Sequence, residues 1–243
     1  MKRGRVRSIL QLGYVFLLLA VASAIAFLMA PFVGGPRAFW LAARRYALHV
    51  ARVFGMRHEM QGWENLPEDI RSGRRSAIFI ANHASNMDPV MLACHLECQP
   101  AFVAKLEVAF VPVLGAVTWL SGAIFIDRRN RDKAIQSMKR AAQKVRDGVS
   151  IIAFPEGTRS RTGALVRPFK KGVFNMAVQA GVPVVPLGLI GGFEAMPPGS
   201  WCCQPGPFLI RVGQPLHPGA FPDVDALRVA AEDAMEALVT GGS

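Results

Sequence analysis

A chain of 243 residues with 51% hydrophobic residues and a formal net charge of +11 can bury one large core and still carry apolar surface outside it. The four cysteines, Cys94, Cys98, Cys202 and Cys203, make no disulfide framework, because an adjacent pair bridges only with strain; buried, inert thiols are expected, and Cys94-His95-x-x-Cys98 lacks the second ligand pair a metal site needs. Basic residues are not interleaved with aromatics along a stripe, which argues against nucleic acid as a partner.

The charge is uneven. Through Glu59 there are nine Lys+Arg and one acid, against nineteen and sixteen in the remainder, so most of the excess lies near the N-terminus. Between those charges, Ser8 to Pro36 contains none, and Ile9 to Val33 is almost continuously apolar. About 20 such residues suffice to cross a bilayer as a helix. Lys2, Arg3, Arg5 and Arg7 followed by small Ala20, Ala22 and Ala24 resemble a signal peptide. A cleaved signal has an apolar region of only about 7–15 residues, however, so a retained anchor is the expectation. Its length fits one tilted span or a turn-back within one leaflet. Arg37, Arg44 and Arg45 after the run balance the basic residues before it. That pattern favours the turn-back, relaxed at Ser23 and Gly34-Gly35-Pro36, which keeps both basic groups cytoplasmic. Arg37 to Met56 mixes Phe39, Trp40, Tyr46, Leu48, Val50 and Val53 with Arg44, Arg45 and Arg52. It reads as an interfacial helix; an ordinary surface helix fits the pattern too, and the neighbouring anchor favours the membrane. Two units follow: membrane-anchoring helices over 1–59 and a catalytic domain over 60–243.

Within the second unit, short apolar runs alternate with helical periodicity. Ser76 to Ala81 reads as a buried strand, followed by a polar turn and a helix from Pro89 to Cys98. Ala101 to Ala104 and Ala123 to Asp127 read as strands, and Arg131 to Asp147 as a helix closed by Gly148. Ser150 to Phe154 is a strand, Lys170 to Ala180 a helix stopped by Gly181, and Val182 to Leu189 a strand. Phe208 to Val212 and a helix over Asp223 to Val239 complete the chain. Strands separated by helices predict a layered α/β fold, with a largely parallel sheet flanked by helices and preceded by the membrane-docking helical pair.

Two polar clusters directly follow strands, where α/β sheets bind ligands. In Asn82-His83-Ala84-Ser85-Asn86-Met87-Asp88, Asp88 is placed to hold one imidazole nitrogen of His83 and leave the other as a general base. Asn82, Ser85 and Asn86 are candidates to cap the helix and tie the turn. Alone, such a His-Asp pair is more often structural than catalytic. In Phe154-Pro155-Glu156-Gly157-Thr158-Arg159-Ser160, Gly157 permits a close turn. Arg159 offers a fork suited to phosphate, and Thr158 and Ser160 add neutral donors. Glu156 would repel a phosphate unless it pairs with a donor or faces a hydroxyl; a solvated Glu-Arg turn is the plain alternative. No Gly-x-Ser-x-Gly elbow surrounds Ser85.

Asn82-His83-x4-Asp88 resembles the signature of the glycerolipid acyltransferase family, which includes 1-acylglycerol-3-phosphate O-acyltransferases. Three further blocks match in order: Gly122 to Arg128, Phe154 to Ser160 and Val182 to Leu187. The resemblance covers Ile78 to Leu189, with Lys105 and Gly115 also similar to family members. It implies transfer of an acyl group from acyl-CoA or acyl carrier protein to the sn-2 hydroxyl of lysophosphatidic acid, giving phosphatidic acid, with no cofactor and no metal. His83 would deprotonate the acceptor and Asp88 orient His83. Arg159, with Lys105 and Arg128, would hold the phosphate. Glu156, with Gly157, Thr158 and Ser160, would position the acceptor. The Val182 to Leu187 block would shape the sheet edge and an apolar acyl channel, or serve as core strand only. The hydroxyl would attack the thioester directly, without an acyl-enzyme. Other lysolipid acceptors, a lipid hydrolase using the same pair, and a catalytically silent scaffold are the competing readings. Membrane lipids are the expected partners, and the bacterial inner membrane, with the catalytic domain on its cytoplasmic face, the expected location.

Overall fold

Seven strands form one sheet in the order β1-β7-β6-β2-β5-β3-β4. They are β1 (Met56–Gln61), β2 (Ile78–Ala81), β3 (Ala101–Lys105), β4 (Ile124–Ile126), β5 (Ile151–Ala153), β6 (Val184–Ile190) and β7 (Gly206–Val212). The molecule is a computed structural model that describes residues 2–127, 129 and 131–241, and the side chains of 10–127, 129 and 132–241. Helices are α1 (Lys2–Val33), α2 (Gly35–Phe54), α3 (Glu68–Arg71), α4 (Asp88–His95), α5 (Leu114–Leu120), α6 (Arg131–Arg146), α7 (Gly172–Ala180), α8 (Gly192–Ala195) and α9 (Val224–Thr240). The strands β6, β2, β5, β3 and β4 run parallel; β7 is antiparallel to β6, and β1 pairs parallel with β7.

The central strands are buried on both faces, which is why they read as unbroken apolar runs rather than alternating ones. Phe79, Ile152, Val185 and Leu187 point into a core shared with α2 and α4. Ile78, Ile80, Ile151 and Val184 point into a second core shared with α6, α7 and α9. The layered α/β expectation is met. Of the two readings of the Val182 to Leu187 block, core strand is the one the fold bears out: β6 lies inside the sheet between β7 and β2, with Val184, Val185 and Leu187 fully buried.

The expected boundary between residues 59 and 60 falls inside β1, whose partner β7 makes it part of the seven-stranded sheet. This edge strand alternates buried Met56 with exposed Arg57 and Glu59, and its burial is shallow. Helix α5 was likewise unmarked in the apolar stretch before β4.

The apolar run does not turn back on itself. Helix α1 is continuous through Ser23, whose hydroxyl donates to the Leu19 carbonyl at 2.6 Å. The reversal comes at Gly34, where φ is 85°, a region that favours glycine. Helix α2 then returns antiparallel. Gln11 Nε2 donates to the Val53 carbonyl at 2.8 Å, satisfying a C-terminal carbonyl of α2, and Tyr14 meets His49 at 3.0 Å. Leu10–Val33 is long and apolar enough to cross a bilayer and is mostly exposed. The two-helix expectation therefore holds, as a hairpin made of α1 and α2.

Candidate active site

β2 and β5 pair in parallel, Ile80 beside Ala153, so the turns that follow them emerge side by side. This register brings the two polar clusters together. His83 Nδ1 lies 2.8 Å from Asp88 Oδ2, and the imidazole stacks on Phe154 with ring centroids 4.0 Å apart. The His83 backbone is pinned at both ends: its N–H donates to Glu156 Oε1 at 2.8 Å, and its carbonyl accepts from the Ser160 N–H at 2.7 Å. Two loops far apart in sequence thus fix one imidazole.

Asp88 is 1% exposed. Its Oδ2 accepts from His83 Nδ1, the Ala84 N–H and the Ser85 N–H, each at 2.8 Å. With Nδ1 of His83 tied to a carboxylate, Nε2 is left to carry the lone pair on the cavity side. Among the described residues Asp88 Oδ1 has no hydrogen-bond partner, and it sits against Gly192, where a Cβ would stand only 2.5 Å from it. Gly192 was not legible as a site residue, because nothing in Gly191-Gly192 signals what lies opposite.

Asn82 does not cap the helix. Its side-chain amide donates to the Leu189 carbonyl at 2.9 Å and accepts from the Leu189 N–H at 2.6 Å, extending the β2–β6 ladder past the strand end. Ser85 does tie the turn: its hydroxyl donates to the Met196 carbonyl at 2.8 Å and accepts from Met87 N–H at 3.1 Å. It is fully buried. Asn86 is turned to the second cluster, where its Oδ1 accepts from Arg159 Nη1.

Glu156 is buried, 3% exposed, and its carboxylate is occupied by the backbone N–H groups of His83 and Val166, the latter at 3.2 Å. Burial raises its pKa to about 7, against the lowering effect of those two hydrogen bonds and helped by the nearby Asp88 charge. Ser160 is buried as well, with its Oγ accepting from Thr162 N–H at 3.4 Å. Gly157, Thr158 and Arg159 face the cavity. Lys105 does too, its ammonium 3.0 Å from Glu107, which also pairs with Arg129 at 3.3 Å. Arg128 lies outside the described residues. Burial pushes the Cys94 and Cys98 thiols up to about 12 and Cys203 up to about 11, far from thiolate character at neutral pH.

His83 opens onto a cavity of about 1050 Å³, at the top of the ~300–1,000 Å³ range of small-molecule sites. One wall is α1 (Leu12, Val15, Leu19), another α2 (Tyr46, Val50), and a third α5 (Val117). Most of the lining is apolar, with Asn86, Lys105, Thr158 and Arg159 among its polar groups.

A His–Asp pair at the carboxyl ends of parallel strands, beside a largely apolar cavity, is a ligand-binding layout of α/β proteins. The sequence model of the Acyltransferase family matches residues 57–190, more than half of the chain, and the chain belongs to that family. It is 39% identical over 142 residues to the 1-acyl-sn-glycerol-3-phosphate acyltransferase of Haemophilus influenzae, covering 57% of this chain and 58% of that one. It is 37% identical over 166 residues to the enzyme of that name from Limnanthes douglasii, covering 68% of this chain and 56% of that one. The human 1-acyl-sn-glycerol-3-phosphate acyltransferase alpha is 35% identical over 145 residues, 59% of this chain and 49% of that one. The matched stretch thus spans about half the length of these relatives. The fold matches the crystal structure of the 1-acyl-sn-glycerophosphate (LPA) acyltransferase PlsC from Thermotoga maritima. The TM-score is 0.83 at 24% identity, covering 97% of this chain and 95% of that one.

Proposed function

We propose that the chain transfers a fatty acyl group from acyl-CoA or acyl carrier protein to the sn-2 hydroxyl of 1-acylglycerol 3-phosphate, forming phosphatidic acid at the cytoplasmic face of a bacterial inner membrane. The observation that carries this reading is the His83–Asp88 pair at 2.8 Å, opening onto an apolar cavity with Arg159 and Lys105 on its rim. His83 Nε2 takes the acceptor proton as the hydroxyl oxygen attacks the thioester carbonyl, and Asp88 stabilises the imidazolium that forms. Collapse of the tetrahedral intermediate breaks the C–S bond, and the thiolate takes the proton back from His83. Ser85 is spent on Met196 and Met87, and the buried cysteines are thiols, which supports direct attack over an acyl-enzyme. Arg159, steadied by Asn86, and Lys105 hold the acceptor phosphate. Glu156 and Ser160 act by holding the His83 backbone, while Gly157 and Thr158 stand closer to the acceptor.

The test is product analysis by mass spectrometry on purified protein given a panel of lysolipid acceptors and both donor types. Phosphatidic acid, formed only when lysophosphatidic acid is present, is the expected product. His83→Ala should fall by ~10²–10⁴ in rate with folding retained. Release of free fatty acid without any acceptor would identify a hydrolase instead, and full activity of His83→Ala would end the proposed mechanism.

A further inference from the structure

From Val108 to Ile126 the chain carries no charged residue. Only part of this stretch enters the core: Val117, Leu120 and Ile124 are buried, while Phe110 is 77% and Trp119 69% exposed, with Val111, Val113 and Leu114 exposed beside them. These five belong to a 3₁₀ turn over Leu106–Phe110, the connection after it, and α5. A run of exposed large apolar side chains on one short segment marks an interaction surface rather than scattered surface hydrophobes. The backbone there is strained in the same direction. Val113 has φ 64°, a region β-branched residues avoid, so the chain accepts a costly turn that holds apolar groups outward.

The segment is continuous with the helical hairpin. The Leu120 carbonyl stands 3.0 Å from where a Cβ on Gly35 would lie, and Gly122 approaches the Pro36 ring. Trp119 therefore sits beside the α1–α2 turn, where Phe32 is 87% and Leu28 73% exposed. Charge returns only at the ends of the stretch, with Lys105, Arg128 and Arg129 against Glu107 and Asp127 in the sequence. Apolar side chains at the tip, a tryptophan and a basic collar behind them form the pattern of a group seated in an anionic lipid interface.

We infer that the segment from Val108 to Trp119 is a second bilayer-inserting element, seated in the same phospholipid leaflet as α1. This rests on the reading of α1 as a membrane-docking helix. It adds that the protein grips the leaflet on two sides of its cavity: α1 lines one wall through Leu12, Val15 and Leu19, and α5 lines another through Val117 and Thr118. The leaflet then meets the cavity between these walls, and an acceptor slides in laterally with its chain still in lipid.

The experiment uses the full chain in phosphatidylethanolamine/phosphatidylglycerol vesicles. Trp40, Trp63 and Trp201 are replaced by Phe so that Trp119 reports alone, and a tryptophan-free protein carrying Leu28→Trp reports on α1. Should the triple replacement unfold, the difference between the unaltered chain and Trp119→Phe gives the same signal. Trp119 is expected to be quenched at least twofold by chain-brominated lipid and to be shielded from aqueous iodide. Quenching of Leu28→Trp by brominated lipid while Trp119 answers only to iodide overturns the inference and leaves the membrane reading of α1 standing. Failure of both probes to sense brominated lipid overturns the two together. The double variant Phe110→Asp/Trp119→Asp, which leaves the catalytic groups alone, should keep its turnover in detergent micelles. It should lose at least tenfold on acceptor presented in vesicles. Equal retention in both also overturns the inference.

Discussion

Gly192→Ala is the most informative single change in this protein, because it tests the proposed role of the His83–Asp88 pair while leaving both residues in place. Gly192 does not have a positive φ, so alanine suits its backbone and the effect isolates one methyl group. That methyl would stand 2.5 Å from Asp88 Oδ1, 3.2 Å from Phe208 Cε2 and 3.2 Å from Ser85 Cβ. Ordinary contact needs about 3.5 Å, so the carboxylate must retreat by ~1 Å. It has little room to do so, since Oδ2 is held by three donors at 2.8 Å. A shift of that size takes the His83 contact beyond hydrogen-bond range, and a misplacement of ~1 Å costs about 10² in rate. Overpacking of this kind destabilises by roughly 1–3 kcal/mol, so the fold should survive with a lowered melting temperature. The assay is thiol release with saturating lysophosphatidic acid, beside a thermal melt. Gly206→Ala, whose Cβ would meet nothing within 4 Å, serves as the neutral control. If Gly192→Ala retains kcat/KM within threefold of the parent, the tight seating of Asp88 is not what sets the imidazole.

Glu156 makes stability depend on pH. Its pKa is raised to about 7 by burial, so between the ordinary carboxylate value and about 7 the unfolded chain releases a proton that the folded chain keeps. Stability is fully present below that range, falls as pH rises through it by on the order of 3 kcal/mol, and levels off above it. Thermal melts at pH 5 and pH 7 should show this fall in the parent and not in Glu156→Gln; the same fall in both would assign it elsewhere. Asn86→Ala, which frees the Arg159 fork, and Arg159→Lys, which removes it, should each raise the acceptor KM several-fold while the donor KM stays put. Equal movement of the two constants would place the phosphate away from Arg159.

The central sheet was legible because β2, β5 and β6 lie between two helical layers, a burden only continuous apolar runs can bear. His83 and Asp88 were legible for a local reason: four residues of turn suffice to bring them together. What escaped depended on contacts across the chain. Edge strand β1 is half-polar and gains its identity from β7, some 150 residues on. Asn82 and Asn86 offered the short polar side chains of helix caps, and tertiary partners took both, Leu189 in one case and Arg159 in the other. Glu156 carried a charge that suggested an outward role, yet its neighbours are two backbone amides no local pattern announces. Gly192 had no signal at all. A glycine selected for what it leaves empty is visible only when the atom opposite is known.

The hairpin also bears on how the acceptor arrives. Because α2 returns antiparallel to α1, with Gln11 against Val53 and Tyr14 against His49, the start of α1 and the end of α2 lie at the same end of the pair. Of the basic residues that follow the apolar run, Arg52 and Arg57 come back toward the end at which α1 starts, Arg44 and Arg45 lie midway along α2, and Arg37 stays at the α1–α2 turn. A perpendicular span would set the α1–α2 turn at the far surface of the bilayer, yet that turn packs on Leu120 and Gly122 of the catalytic domain. On the leaflet-seated hairpin inferred above, the turn and α5 share the hydrocarbon. On the function proposed above, the acceptor's phosphate and free hydroxyl begin at the depth of Arg159 and His83. The enzyme then has no need to lift a lysolipid out of its membrane, and the desolvation cost of that transfer falls out of the catalytic cycle.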